Sequence, residues 1–578
     1  MKYYSGLVDY PHDNHKVTKK MAENGKYYVR LETDRKYNPE KKYNVPVRVT
    51  IGVLDENDNT KMHPNENFKI YFPDVKIEKE DEESNRSQCL RVGAYSLIKN
   101  MFNETKLNDI INPLFKDKGG LIKDLVSYEI IEESNVMQHF EDYEYNHPLF
   151  NENMHIYSDS SVSDLLSKNI TPDDINTFIN AWTKINKSKG KVYISYDSTN
   201  SNCQAMDIDL CEMGHAKLNP AKPIVNLSIA FDEDNKIPLF YELYSGSIPD
   251  ISCIETMINK AKGFGFNDAC FILDRGYFSK NNIRNIVKQG YDFLIAARNR
   301  EGFIDDLISE CDLSFKSNRK NRVNNQNIYG TSYKKKLFGL NDEVYVHVFF
   351  NAGKYPSILQ NIENDIAIHA ERLNKLKFEI VDPDFKDPYH ELIIDKDNKL
   401  IAFRENEKVI EDIEKYLGYF VLITSEKMTY AEAFNKYSGR DQSEKLFKSG
   451  KSFLGGDAYR VHTKQSLESK TLITFIALII RNAIYNKLMS EKYLINEPDN
   501  NIFSVPEAIK QLEKIEMIKY NDTYRLSSAL SRNQKKLLKA FNMNSGSILM
   551  DAQYIAETLK KQPLPGTVYI KPSLSSSS

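Results

Sequence analysis

The sequence has few cysteines, one tryptophan, no long apolar run and almost no net charge. Its six cysteines, spread over 578 residues, form no C-x-x-C pair, so we expect reduced thiols rather than a zinc site or a disulfide framework. The longest apolar run, Leu472 to Ile480, ends at Arg481 and is about half the roughly 20 residues that a bilayer span needs. The first residues lack the apolar core of a signal peptide. These absences exclude membrane and secreted classes and predict a cytoplasmic location.

The formal charge of −3 does not by itself indicate a nucleic-acid partner, but its distribution is uneven. Residues 313 to 337 contain seven basic side chains and no acid, and residues 436 to 492 contain eleven Lys or Arg against five acids. A solvated surface is the usual interpretation of such runs, and an anionic partner is the alternative.

Hydrophobic periodicity divides the chain into strand-rich, helical and mixed segments. Strands predominate in residues 1–85. Helices predominate in residues 86–185, with a clear example at Asp173 to Trp182 after the Thr171-Pro172 cap. Residues 186–298 follow the order βββαβαβ, which is typical of a mixed α/β sheet with helices packed on it. We expect the remaining segments to be an insertion subdomain at 299–415, a return to the sheet at 416–495 and a helical C-terminal region at 496–578.

Two aspartates follow strands of the predicted sheet. Asp197 comes directly after the first strand, Val192 to Tyr196, and Asp274 comes directly after the fourth, Ala269 to Leu273. Carboxylates that converge at one sheet edge can hold a divalent cation together with water and phosphate oxygens. Because Asp also begins turns, this pattern alone leaves a purely structural role open.

A helix predicted after the Thr429-x-x-Glu432 capping box adds a third carboxylate. Tyr437, Arg440 and Glu444 are spaced three and four residues apart, so they share one helix face, and Lys451 lies two turns further on. This set suits a metal site that faces a phosphate backbone, with Glu444 as a metal ligand and Tyr437, Arg440 and Lys451 as phosphate contacts. A solvated helix with ordinary salt bridges is the alternative.

The Tyr-x2-Arg-x3-Glu-x6-Lys string resembles the signature of the YREK class of insertion-sequence DDE transposases, the fourth family of bacterial insertion sequences and its relatives. Tyr196-Asp197-Ser198-Thr199 and Leu273-Asp274-Arg275-Gly276-Tyr277 resemble that family's first and second acidic motifs. The resemblance covers roughly residues 190 to 298 and 416 to 490. It implies a mixed α/β fold with a ribonuclease-H-like core, interrupted between the second aspartate and the glutamate by an insertion, and flanked by N-terminal DNA-binding regions.

The resemblance also implies an activity. Asp197, Asp274 and Glu444 would be the catalytic residues and would hold two Mg²⁺ ions, for which Mn²⁺ can substitute. The expected reaction is cleavage at transposon ends and strand transfer into target DNA, by a cut-and-paste route through a hairpin. The expected partners are double-stranded terminal inverted repeats, target DNA and a second copy of the chain, and the expected location is cytoplasmic, with the nucleoid.

Relatives commonly hold a flipped base with an aromatic residue of the insertion, whereas the one tryptophan here, Trp182, precedes the sheet. Tyr345 and Phe349 are alternatives, because stacking needs only a π-face. We further expect the basic start of the insertion, including Lys334, Lys335 and Lys336, to lie along transposon-end DNA. Two other functions stay open: a nuclease of the same fold that does not join strands, and a non-catalytic DNA-binding protein derived from a transposase.

Overall fold

The structure is a computed structural model of the whole chain, in which two compact units, Met1–Ser87 and Gln88–Ser578, are each described by themselves. The residues that the structure describes are 7–11, 16–22, 25–39, 42–55, 58–73, 75, 86–187, 190–203, 205, 207–216, 219–298, 302–323, 326–382, 384–440, 458–490, 503–520 and 523–560.

The first unit is built on an antiparallel sheet with the strand order β1-β5-β4-β3-β2. Val29, Ile51 and Met62 are fully buried, and Phe68 of the one helix described in this unit packs with them. The described segments of residues 1–85 thus consist mainly of strands. The elements are β1 (Val8–Asp9), β2 (Val17–Met21), β3 (Tyr27–Asn38), β4 (Tyr43–Leu54), β5 (Lys61–Pro64) and α1 (Glu66–Tyr71).

The second unit begins with a helical segment, as predicted. The Thr171 side chain accepts a hydrogen bond from the backbone of Asp174, whose carboxylate accepts one in return, and Pro172 occupies the first turn of the helix that follows. The face predicted from spacing is buried, and Trp182 donates from Nε1 to the Pro238 carbonyl at 2.8 Å. The elements are β6 (Cys89–Arg91), α2 (Gly93–Glu104), α3 (Asn108–Phe115), α4 (Gly119–Ile131), α5 (Phe140–Asn146), α6 (Asp159–Asp164) and α7 (Pro172–Ile185).

A mixed sheet forms the centre of this unit and has the predicted order βββαβαβ at its start. Its strands lie in the order β12-β13-β16-β11-β10-β7-β8-β9, and the short strand β17 also pairs with β7. Strands β7, β10 and β11 are mutually parallel, and the other pairs on that path are antiparallel. The strands are β7 (Val192–Cys203), β8 (Ile224–Asp232), β9 (Ile237–Ser245), β10 (Ala269–Leu273), β11 (Asp292–Ala296), β12 (Ile328–Lys335), β13 (Val344–Asn351), β16 (Tyr419–Thr424) and β17 (Ala458–Tyr459).

Strand β7 is longer than predicted, and this changes the local setting of Asp197. The residues Ser198 to Cys203 are mostly Ser, Thr and Asn, which are typical of turns, yet they continue the antiparallel ladder with β8. Their polar groups are satisfied locally; the Asn202 amide, for example, donates to the Asn219 carbonyl at 3.1 Å. Asp197 therefore lies within a strand rather than after one.

Residues 299–415, predicted as an insertion, divide between the central sheet and a small appendage. Strands β12 and β13 extend the sheet next to β16. A long helix and a hairpin then form a separate cluster around Leu373, Val381 and Leu400. The further elements of the segment are α10 (Phe303–Ser309), α11 (Tyr355–Lys375), β14 (His390–Ile394), β15 (Leu400–Glu405) and α12 (Glu407–Glu414).

The long apolar helix Lys464–Ser490 lies in the core. It is long and apolar enough to cross a membrane by length and composition, but most of its apolar stretch is buried inside the protein. The C-terminal region combines helices with a hairpin that pairs with β6. The remaining elements are α8 (Ile254–Gly263), α9 (Lys280–Lys288), α13 (Tyr430–Gly439), α14 (Lys464–Ser490), α15 (Val505–Leu512), β18 (Glu516–Tyr520), β19 (Thr523–Leu526), α16 (Arg532–Ala540) and α17 (Ser545–Lys560).

Candidate active site

Asp197 and Asp274 lie side by side where the parallel pairing of β7 and β10 ends. The last pair in this register joins Tyr196 to Leu273, so the two aspartates follow at the same level on neighbouring strands, which are about 4.8 Å apart. Each carboxylate accepts a hydrogen bond from the next backbone amide: Ser198 N to Asp197 Oδ1 at 2.9 Å and Arg275 N to Asp274 Oδ1 at 2.7 Å. These local bonds fix one oxygen of each side chain.

Helix α13 brings two further predicted residues to the aspartates. Its predicted capping box is present, with Thr429 and Glu432 bonded reciprocally. Ala433 and Phe434 are buried, and Tyr437 and Arg440 follow at the spacing that keeps them on the same side of the helix. The described helix ends at Gly439, so that Arg440 is its C-cap residue.

Both Tyr437 and Arg440 approach the carboxylates directly. The Tyr437 hydroxyl donates to Asp274 Oδ1 at 3.3 Å. The guanidinium of Arg440 lies 3.6 Å from Asp197 Oδ2 and 4.0 Å from Asp274 Oδ1, which are ion-pair distances without the short contact of a strong hydrogen bond. Burial raises the pKa of Tyr437 to about 12, with the Arg440 charge opposing the shift and the Asp274 charge adding to it. Tyr437 therefore stays a neutral donor at physiological pH.

The other two residues of the predicted helix face, Glu444 and Lys451, lie outside the described residues. Within the described part of the chain, no group of three carboxylate, histidine or cysteine side chains lies close enough to hold a metal ion. The aspartates supply oxygen ligands of the kind that Mg²⁺ prefers. In the described part they are two of the three predicted ligands.

The basic segment 313–337 has more intramolecular partners than its sequence indicates. Lys335 pairs with Glu310, Lys334 lies over the ring of Tyr345 at 5.1 Å, and Lys316 lies over the rings of Phe350 and Tyr419. Lys336 follows β12 and is exposed. Lys335 is therefore neutralised and Lys334 and Lys316 lie against aromatic rings within the chain, and the contact of this segment with DNA stays a prediction.

Sheet register relates these lysines to the aspartates. Through Tyr345, Thr424 and Leu294, Lys334 is level with Ile272 of β10. It is separated from β10 by four strand spacings, which is about 19 Å. Lys334 thus lies on the edge strand of the same sheet. A DNA duplex could span the distance between this strand and β10.

The aromatic residues considered for base stacking differ in accessibility. Trp182 is buried in the core, and Phe349 is fully buried against Phe420 with ring centroids 4.8 Å apart. Phe349 is therefore not available to an unstacked base. Tyr345 is partly exposed beside Lys334 and remains the alternative.

No sequence pattern indicates Glu233, which lies beside the end of α13, or Ser195, which lies near Glu233. Ser195 lies two residues before Asp197 on the same face of β7, and Glu233 lies in the turn after β8, where its backbone amide donates to the Tyr193 carbonyl at 3.0 Å. Burial raises the pKa of Glu233 to about 7, while the Ser195 hydroxyl and the Arg440 charge oppose the shift. In the sequence Glu233 is one of several acids in a turn, and no local pattern distinguishes it.

Comparisons with known proteins find similarity over part of the chain. Residues 205–480 match the family model described as "Transposase DDE domain"; Asp274, Tyr437 and Arg440 lie within the match, and Asp197 lies eight residues before it. No curated protein matches the chain. Among solved structures, a cryo-EM structure titled as a piggyBac transposase synaptic complex with hairpin DNA is similar at 9% identity and a TM-score of 0.33, over 82% of this chain and 84% of that chain. From residue 205 to residue 480, slightly less than half of its length, the chain is thus similar to DDE transposases.

Proposed function

We propose that this protein is a DDE transposase that cleaves DNA at transposon ends and transfers the cleaved strand into target DNA, by a cut-and-paste route through a hairpin. The observation that carries the proposal is the placement of Asp197 and Asp274 side by side at the end of the β7–β10 pairing, with Tyr437 and Arg440 against them. The family match over residues 205–480 supports the same conclusion.

The strand order supports a ribonuclease-H-like core. Three antiparallel strands, β9, β8 and β7, are followed by β10 and β11, which run parallel to β7 and are reached through α8 and α9. In open sheets with parallel strands, ligands bind outside the carboxyl ends of those strands. The aspartates are at that edge.

The chemistry of the donor set suits divalent metal. Asp197, Asp274 and Glu444 would hold two Mg²⁺ ions, or Mn²⁺ in their place. When bound, such ions activate water and stabilise the leaving oxygen in phosphodiester cleavage. Among the described residues, Asp274 Oδ1 accepts hydrogen bonds from Arg275 and Tyr437, so the protein orients this carboxylate through one oxygen.

The remaining residues would position DNA. Arg440, Tyr437 and Lys451 would contact phosphate oxygens beside the scissile bond, where a guanidinium and a neutral hydroxyl act as donors. Residues 1–185 would recognise the terminal inverted repeats. A homodimer would pair the two ends, and the protein would act in the cytoplasm, at the nucleoid.

The test is incubation of the purified protein with Mg²⁺ and DNA that carries the element's own ends and flanks, together with a target plasmid. A transposase releases the element and joins its 3′ ends covalently to the plasmid. Cleavage without joined product would instead indicate a nuclease, and specific end binding without cleavage would indicate a non-catalytic DNA-binding protein.

A further inference from the structure

A two-stranded arm extends from the sheet of the first unit. Strands β3 and β4 pair with each other up to their last residue pair near the turn. The neighbouring segments bond to β3 only as far as Glu32 and to β4 only from Thr50 onward. Among the described residues, Thr33–Asn38 and Tyr43–Arg48 form ladder pairs only with each other, and we call these two segments the arm. At about 3.3 Å per residue, the arm is roughly 20 Å long.

The register of the arm places its hydrogen-bonding side chains on one face. Arg35 lies opposite Pro46, and Tyr37 lies opposite Asn44. Because alternate residues of a strand point to the same face, Arg48 shares this face with them. The exposed acid of the arm, Asp34, pairs with Val47 and lies on the opposite face. The arm therefore has one face that carries two arginines, a tyrosine and an asparagine.

The two arginines of this face are oriented by Glu32 without being covered by it. The Glu32 carboxylate accepts a hydrogen bond from Arg35 Nε at 2.7 Å and lies 3.6 Å from a terminal nitrogen of Arg48. The Arg35 side chain is nevertheless 67% exposed, and its two terminal nitrogens make no hydrogen bond within the described part of the chain. An arginine held through Nε still presents its terminal nitrogens to an acceptor such as a base edge or a phosphate.

Charge is distributed unevenly along the first unit. Residues 16–50, which include the arm and the strands at its base, contain ten Lys or Arg and four acids, whereas residues 51–75 contain two and five. Lys36 and Lys42, near the end of the arm, are exposed and form no ion pair within the described part of the chain. Tyr37 and Tyr43 are 64% and 57% exposed. An exposed basic surface with tyrosines suits an anionic partner and directs the arm toward it.

We propose that the arm binds double-stranded DNA in the major groove, with the face of Arg35, Tyr37 and Asn44 toward the base edges and with Lys36 and Lys42 on phosphates at the rims of the groove. The inference rests on the proposed function, because it assigns one element of residues 1–185 to recognition of the terminal repeats.

The dimensions and the side chains of the arm both favour this groove. The major groove of B-DNA is about 12 Å wide and admits a two-stranded ribbon, whereas the minor groove is about 6 Å wide. An arm of roughly 20 Å would follow about six base pairs, at about 3.4 Å per pair. Arginine and asparagine are the side chains that bond in the major groove to guanine and to adenine, and lysines beside the groove contact phosphates. Asp34, on the opposite face, would point away from the bases.

The first test is DNA binding by the full chain without divalent metal, on a duplex that contains the element's terminal repeat and on an unrelated duplex of the same length. We expect Arg35→Ala to weaken binding to the repeat roughly tenfold and to the unrelated duplex much less, because a base contact is lost. Lys36→Ala with Lys42→Ala should weaken both equally and reduce the slope of log affinity against log salt by about 2, because two phosphate contacts are lost.

A matched pair of lysines provides the control. Lys26 and Lys61 are exposed and lie at the end of the same sheet that is opposite the arm. Lys26→Ala with Lys61→Ala should leave both affinities and the salt slope unchanged. Equal weakening by the arm pair and the control pair would mean that net charge alone acts, and it would overturn the proposal. Cooperative thermal unfolding checks that all variants fold.

Methylation interference tests the groove. Dimethyl sulfate methylates guanine N7, which lies in the major groove. Methylation within the repeat should interfere with binding of the wild type, and Arg35→Ala should lose interference at one guanine while keeping it at others. A pattern that Arg35→Ala leaves unchanged would remove Arg35 from the bases. Competition by a minor-groove ligand instead of interference by methylation would place the arm in the wrong groove.

The outcomes distinguish this inference from the proposed function. If the wild type cleaves and joins element ends while the arm variants bind them normally, only the role of the arm is wrong. If the arm variants lose specific binding but the wild type never cleaves, the arm binds DNA in a protein that is not a transposase. If the arm variants change the mass of the protein in solution and not its affinity for DNA, the arm contacts a second protein and the proposal is wrong.

Discussion

The two ends of the strands β7, β10 and β11 both carry acids around one basic side chain, yet the two clusters are bonded differently. At the amino ends, Lys191 Nζ lies 2.6 Å from Asp292, 3.6 Å from Glu426 and 3.9 Å from Asp268. At the carboxyl ends, Arg440 is no closer than 3.6 Å to Asp197 or Asp274. The more closely paired basic residue, Lys191, is the more exposed of the two, with 27% of its side chain exposed against 11% for Arg440.

The acids around Lys191 also accept hydrogen bonds from neighbouring side chains: Ser425 donates to Asp292 at 2.7 Å and Tyr193 donates to Glu426 at 2.9 Å. Burial alone would lower the pKa of Lys191, but the hydrogen bond and charge of Asp292 raise it overall. Glu426 Oε2 is nevertheless buried without a hydrogen-bond partner in the described part of the chain, so incomplete bonding does not by itself indicate a site. The two clusters differ in position: ligands bind outside the carboxyl ends of parallel strands, where Asp197 and Asp274 lie.

The largest expected effect is on DNA cleavage, which should depend on one cluster and not on the other. Asp197→Asn, Asp274→Asn and Glu444→Gln should each reduce cleavage of element-end DNA about a thousandfold or more, because loss of a metal ligand removes several kcal/mol of transition-state stabilisation. Binding to the ends in a mobility-shift assay should persist, since phosphate and base contacts elsewhere supply it. Asp292→Asn is the matched control and should cleave within about twofold of the wild type. Near-normal cleavage by any of the first three would remove that residue from the site.

Substitution of Lys191 and of Arg440 should have opposite effects on stability and on cleavage rate. Lys191→Ala leaves three acids without their shared cation and should lower the free energy of unfolding by about 1–2 kcal/mol with little change in cleavage rate. Arg440→Ala should change stability less but slow cleavage roughly ten- to a hundredfold and increase its sensitivity to salt, because a phosphate contact is lost; Lys451→Ala should share this behaviour. Chemical denaturation and cleavage rates at two salt concentrations check both. Equal effects on stability and rate in both variants would end the distinction between the clusters.

A smaller effect is expected at the far edge of the sheet. Replacing Lys334, Lys335 and Lys336 with Ala should slow second-strand processing about three- to tenfold, with nicking of the first strand less affected. Because Lys335 is paired with Glu310, we expect about two rather than three phosphate contacts to be lost, which would reduce the slope of log affinity against log salt by about 2. Glu310→Gln is the control and should not weaken binding. Unchanged processing and an unchanged slope would leave these lysines without a role in DNA binding.

Local sequence patterns were sufficient for the elements that position the site. Thr429 and Glu432 predicted the start of α13, the period of three and four residues placed Tyr437 and Arg440 on one face, and the apolar run Ala269 to Leu273 predicted β10. Each of these signals lies within one element, where side-chain spacing and capping chemistry determine the outcome.

Local patterns could not predict which strands pair when they are far apart in the sequence. The end of β7 was missed because Ser, Thr and Asn residues form a strand only when β8 supplies the ladder. Strands β12 and β13 were assigned to a separate subdomain because the pairing of β13 with β16, which joins the hairpin to the sheet, connects residues 69 to 79 apart in the sequence. The proximity of Glu233 to Arg440 likewise depends on how the β8–β9 turn packs against α13.

The last expected effect concerns the stability of the carboxyl-end cluster as pH changes. The pKa of Glu233 is raised in the folded protein to about 7 from an ordinary value near 4.5, chiefly by burial, with Ser195 and Arg440 opposing the shift and Asp232 and Asp234 adding to it. The folded state therefore binds more protons than the unfolded state between about pH 4.5 and pH 7, and this residue makes the protein less stable as pH rises through that window. Glu233→Gln cannot ionise, so its stability relative to the wild type should increase from pH 4.5 to pH 7, by up to about 3 kcal/mol, and then level off. Melting temperatures of both proteins at half-unit pH steps measure this difference. A constant difference across the window would show that Glu233 is not held in an environment that disfavours its charge.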